Sequence, residues 1–189
     1  AVRELLSLSS QRAIASLVQP GGFYDSQVAR IDLPNQLGNS GNILSRLLTS
    51  SLMKDRLTRE VNSAAERGAE RAAPILADAI RNISITDAVA ILRGGPTAAT
   101  GFLQNAMGRS LVTTMFPSIS GALDIASNPV VNEVLRSASG VNVAALADDV
   151  ASKANDAIFR AIGREESAIR ANPRSTGNPV LIGALALGV

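Results

Sequence analysis

Hydrophobic positions recur at three- and four-residue steps through most of the chain, the period of α-helices packed on one side. Residues 3–18 place Leu5, Leu6, Ile14, Leu17 and Val18 at this spacing, and Pro20, Gly21 and Gly22 in "QPGGFYD" stop the segment. A helical stretch over 41–50 leads into a longer one beginning near Leu52, with Leu57, Val61, Ala64, Ala65, Gly68 and Ala72 on one side. Pro74 must kink that helix or start a new one, because proline removes a backbone donor and crowds the preceding turn. "SITDAVAILRGG" predicts a helix with Ser84 as N-cap, Asp87 as the acidic half of a capping box and Gly94 as C-cap. Pro96 then opens a helix carrying Phe102, Leu103, Met107, Leu111 and Met115 as far as Pro117. "SNPVVNEVLRSASG" (127–140) repeats the pattern, with Asn128 as cap, Pro129 at the first position and Gly140 after the end. The last long helix starts after Asn142 and runs to Asn172 and Pro173, and "TGNP" caps a short terminal helix. Only "VARIDLP" (28–34) alternates apolar and polar residues, with Pro34 ending the run.

This pattern predicts an all-α, mostly α protein: a single-domain multi-helix bundle with at most one short extended segment near 28–34. A helical domain covers 1–176, and 177–189 form an apolar C-terminal tail or short helix. The length of 189 residues suits one domain with a sizeable core. Hydrophobic residues make up 46 % but aromatics only 3 %, so the core must be built from closely spaced Ala, Leu, Ile and Val.

Composition then narrows the chemistry. With no His and no Cys, the chain lacks Ser-His and Cys-His nucleophile systems, thiolate chemistry, imidazole bases and the usual nitrogen and sulfur ligands of zinc or copper. Catalysis would rest on Asp, Glu, Lys, Ser, Thr or the single Tyr24. The expectation is therefore no enzyme, no metal and no cofactor. Sixteen Arg and two Lys face 16 acids, scattered without a basic run or interleaved aromatics, which argues against a nucleic-acid partner. No stretch reaches the ~18 apolar residues of a membrane span. The chain begins Ala-Val-Arg, from which a processed precursor with its signal peptide removed is expected.

Two polar clusters interrupt the apolar stripes. On the helix that carries "AIGREESAIRANP" (161–173), Val150, Ala154, Ala157, Ile158, Ala161, Ile162, Ala168 and Ile169 form a stripe in line with Glu165, which is expected to point inward. Glu166 lies about 100° round at the stripe's edge, paired with Arg170 in an interaction worth about 0.2 to 0.5 kcal/mol if exposed. An inward carboxylate needs an arginine or backbone donors from another helix, so the cluster reads as a core salt bridge or cap, with a functional carboxylate as the alternative. In "REVNSAAERGAER" (59–71), Asn62 and Glu66 share a face; a solvated charged face is the first reading and an interhelical hydrogen-bond network the second. "RGGPTAATG" (93–101) lacks a preceding strand and a P-loop lysine, and reads as a close helix-helix connection. Asp148 and Asp149 read as capping acids in the first turns of the last long helix.

Three segments, "VNSAAERGAERAAPILADAI", "ITDAVAILRGGPTAAT" and "DAIFRAIGREESAIRANPRST", resemble the bacterial domain-of-unknown-function 4197 family, whose members share "NrAAE", "DA..IL.G...AAT" and "EE..IR..P". The resemblance runs from the first helix to Pro173 and singles out Asn62, Glu66, Asp87, Thr100, Glu165, Glu166 and Arg170. It implies an exported cell-envelope protein, periplasmic or otherwise exported, and, without a cysteine for a lipid anchor, a soluble form. It carries no activity. After Thr176 the chain departs from the pattern with an apolar end, in which Val180, Leu181, Ile182, Leu185 and Leu187 are candidates for docking a partner.

The leading expectation is a non-enzymatic exported helical protein that binds a protein partner or an apolar small molecule, with peripheral association with the envelope. The alternatives are a subunit of a larger envelope-associated assembly and a carboxylate-dependent hydrolase or lyase with Glu165 or Glu66 as base.

Overall fold

The structure, a computed structural model, describes residues 1–32, 51–115, 129 and 143–187. The elements are α1 (Val2–Leu17), α2 (Ser51–Asn82), α3 (Ala88–Arg93), α4 (Ala98–Met107), α5 (Ser110–Met115), α6 (Val143–Ala171), a 3-10 turn (Pro173–Thr176) and α7 (Pro179–Leu187). Every regular element among the described residues is helical, so the protein is all-α. The helix expected over 41–50, the caps at Asn128 and Gly140, and the stops at Pro34 and Pro117 lie outside the described residues.

The apolar stripes create the core. α1 buries Leu5, Leu6, Ile14 and Leu17, and packs chiefly on α6 and α2. All six stripe positions foreseen on α2 are buried, and Leu76 and Ile80 extend them beyond Pro74. α2 thus continues through the exposed proline as one helix. α4 and α5 close the bundle over α6 and α2. Among the described residues, Ala, Leu, Ile and Val dominate the interior, with Phe23 and Phe159 as its aromatic members.

Four local expectations are corrected. The helix foreseen from Pro96 to Pro117 divides at Gly108, whose φ of 53° suits a residue without a Cβ; Pro96 itself lies in the turn before the α4 N-cap, Thr97. Asp87, not Ser84, caps α3, its Oδ1 accepting from Ala90 N–H at 2.8 Å. Asp148 and Asp149 fall beyond the first turn of α6 and pair with Arg109 and Lys153, both at 3.1 Å. Residues 28–32 form no strand: the Ser26 hydroxyl accepts the N–H groups of Val28 and Ala29 and turns the chain.

Candidate functional site

Glu166, rather than Glu165, is the inward carboxylate. Glu165 is half-buried, whereas Glu166 is 0 % exposed. Burial on α6 shifts toward its C-terminal end: Ala168 is exposed, while Phe159, Gly163 and Glu166 are covered. A Cβ added at Gly163 would come within 3.1 Å of Thr97 Cγ2, so the small residue lets the start of α4 lie directly on this face. Glu166 then meets the first turn of α4. Its Oε1 accepts from Ala99 N–H at 3.0 Å, and its Oε2 accepts from Thr100 N–H at 2.7 Å and the Thr100 hydroxyl at 2.6 Å. The N-cap Thr97 supplies no side-chain hydrogen bond to this helix start; Glu166 does so from α6.

Arg170, one turn on, donates from Nε to Glu166 Oε1 at 2.7 Å and from its two Nη atoms to the carbonyls of Leu92 and Ile91 at 2.7 and 2.9 Å. The ion pair therefore bridges two helix ends of opposite polarity, anion at the start of α4 and cation at the end of α3. Gly94, the foreseen C-cap, sits in this connection; a Cβ there would lie 2.5 Å from that of Ala98. "RGGPTAATG" is thus a close helix-helix connection whose anion is a side chain of the same protein.

The second cluster holds the loop after α1. Buried Asn62 accepts from Ile31 N–H at 2.8 Å and donates to Ile31 C=O at 2.8 Å, pairing with one residue's backbone as a neighbouring strand would. It also donates to Thr58 C=O at 2.7 Å. Glu66, one turn on, is half-buried: burial pushes its carboxyl above the ordinary value, opposed by the backbone amides of Phe23 and Gly21. The solvated-face reading fails for Asn62 and Glu66. The network reading holds in kind, with a loop backbone as partner in place of another helix.

Tyr24, the single tyrosine, ties the loop after α1 to α2. Its hydroxyl donates to Asp55 Oδ1, and the guanidinium carbons of Arg30 and Arg59 lie 4.2 and 4.1 Å from its ring centroid. The Tyr24 hydrogen bond, followed by that of Arg59, lowers the Asp55 carboxyl below its ordinary value. Arg30 and Arg59 are far apart in sequence and carry no spacing signal.

Among the described residues, two clefts bear on the question of a site. One, of about 450 Å³, lies between α1 and α2, with Ile14, Ala73, Leu76 and Ile80 as apolar walls and Ser7, Gln11 and Arg81 among its polar residues. The other, of about 550 Å³, lies between α4 and α6 and includes Thr100. None of Glu66, Glu165 and Glu166 lines either one. Among the described residues, no group of three or more acidic side chains could hold a metal ion, and no helix is long and apolar enough to cross a membrane.

The apolar end is partly docked. Leu181 is fully buried in the core, Ile182 and Leu185 are half-buried, and Val180 is 56 % exposed; the Leu187 side chain lies outside the described residues. Asn178 Oδ1 caps α7 by accepting from Val180 N–H at 2.9 Å and Leu181 N–H at 3.3 Å, as "TGNP" foretold.

A family model described as "Protein of unknown function (DUF4197)" matches residues 1–185. No curated protein and no solved structure matches the chain.

Proposed function

The chain belongs to the DUF4197 family, and from that premise we propose that it is a non-enzymatic helical binding protein of the bacterial cell envelope, taking an apolar small molecule into the cleft between α1 and α2. The observation that carries this reading is the cleft itself. Its volume of about 450 Å³ falls within the ~300–1,000 Å³ of small-molecule sites, and its apolar walls with a few polar groups match their usual lining. Neither Glu165 nor Glu66, the bases that a hydrolase or lyase would use, lines the α1–α2 or the α4–α6 cleft, which leaves that alternative less support.

Fluorescence titration of the full chain with the neutral probe N-phenyl-1-naphthylamine tests the reading. Saturable binding is expected, weakened about tenfold by Ala77→Leu, which fills the cleft from an exposed helical position while retaining a good helix former. Binding that is absent, or indifferent to Ala77→Leu, would refute it. Placement in the envelope rests on the family resemblance, and fractionation of cells producing the protein from its natural gene tests it; recovery only with cytosolic markers would reject that placement.

A second reading, a subunit of an envelope-associated assembly, draws on α7. Every residue in this helix except Pro179 and Gly183 is Ala, Val, Leu or Ile, yet Val180 and Ala186 face outward. Sedimentation that stays monomeric over a wide concentration range, together with no partner in a crosslinked envelope extract, would remove it.

A further inference from the structure

The groove between α4 and α6 gathers several polar side chains that are left unbonded around one concavity. Asp156, Arg160 and Arg164 follow one another at four-residue steps and share a face of α6. Arg160 is held in place, donating from Nε to Val28 C=O at 2.8 Å, while its two Nη groups make no hydrogen bond. Arg164 makes neither an ion pair nor a side-chain hydrogen bond.

On the opposite wall, Thr97 and Gln104 also have unbonded side-chain polar groups, as does Ser167 beside the arginines. Thr97 is free for a structural reason: Glu166 satisfies the start of α4, so the N-cap hydroxyl is not needed there. The contrast within α6 is sharp. Glu166 and Arg170 spend their groups on the fold, whereas Arg160 and Arg164 present donors to a groove of about 550 Å³.

We propose that this groove binds a small molecule through an oxyanion, a phosphate or carboxylate, held between Arg160 and Arg164, with Thr97, Gln104 and Ser167 hydrogen-bonding its polar body. Guanidinium groups match such oxyanions by paired N–H donors. Asp156, at the far end of the row, disfavours a second negative charge and gives the ligand a direction.

The test is a titration of the full chain with inorganic phosphate at low salt, followed by backbone amide resonances, with phosphatidylglycerol and phosphatidylcholine vesicles in a parallel sedimentation assay. Saturable shifts are expected in residues 97–104 and 156–167. Arg164→Ala should weaken binding about tenfold or more, because a hydrogen bond to a charged group is lost. Arg56→Ala, which removes the same charge from an exposed position on α2, should leave binding unchanged. Asp156→Asn should tighten it. Sedimentation with phosphatidylglycerol but not phosphatidylcholine, lost in Arg164→Ala, would support the oxyanion site and make a lipid headgroup its source. Phosphate binding without sedimentation would support it with a free small molecule as the source. No response to either probe, or equal weakening by Arg164→Ala and Arg56→Ala, would overturn the proposal.

Discussion

At the scale of the residue, Glu166 decides how much the last helix contributes to the fold. Its charge is buried, but each oxygen has two donors, so desolvation is offset by charge-assisted bonds. Glu166→Ala would leave Ala99 N–H, Thr100 N–H and the Arg170 guanidinium short of a partner, and should lower unfolding stability by about 3 to 5 kcal/mol. Denaturant unfolding checks this, and a double-mutant cycle with Arg170→Ala should return a coupling well above that of a surface pair. A cost below about 1 kcal/mol would mean that the bonds contribute little beyond an exposed ion pair. The partnership of Glu166 with Arg170 is legible in the four-residue spacing, but the apolar stripe points to the neighbouring Glu165 as the buried one. Ile162 and Ile169 place both glutamates near the stripe, and the choice between them depends on which flank α4 covers. Gly163 was the local clue, since a glycine inside a long helix marks a close approach.

At the scale of the element, α2 shows how a helix carries an interior proline. Of the two outcomes foreseen for Pro74, a kink or a new helix, the new helix does not occur: α2 runs on, with the buried positions Ala72, Leu76 and Ile80 holding both sides of the proline against the core. Pro74→Ala should raise unfolding stability by roughly 2 kcal/mol, the interior proline penalty of ~3 kcal/mol less the ~0.4–1 kcal/mol that proline gives by stiffening the unfolded chain. Thermal denaturation reads this directly. A loss of stability would show instead that the proline's local geometry is what seats Leu76. Helix periodicity was strong for α1, α2 and α6, and their stripes were read nearly in full. It was weak where backbone and side chains trade roles: nothing in "VARIDLP" announces that an asparagine amide 31 residues away completes the hydrogen bonds of Ile31.

At the scale of the whole molecule, two carboxyls shifted in opposite directions shape the acid response. Asp55, lowered from 3.8, adds stability that is present above that value and is lost as pH falls through its folded pKa. Glu66, raised from 4.5, has the opposite sign: ionisation costs stability as pH rises from 4.5 through its folded pKa, and acidification through that window removes the cost. Melting temperature measured against pH should therefore differ from wild type in opposite directions for Asp55→Asn and Glu66→Gln. Glu66→Gln should gain relative stability above that window, and Asp55→Asn should lose it above about pH 4. Parallel curves for all three proteins would contradict the assignment. The family segments, seen together, join distant parts of the chain: "EE..IR" grips "IL.G...AAT", and "NrAAE" grips the loop after α1.

The Glu166 and Arg170 bonds also set an order on synthesis. The groups they satisfy at residues 91–100 leave the ribosome long before residue 166 does, so α3 and α4 emerge with their facing ends unpaired. A nascent chain stalled before residue 166 should expose this connection to protease, and one released after Ala171 should protect it. The native helix ends are thus completed only when the last long helix has been made.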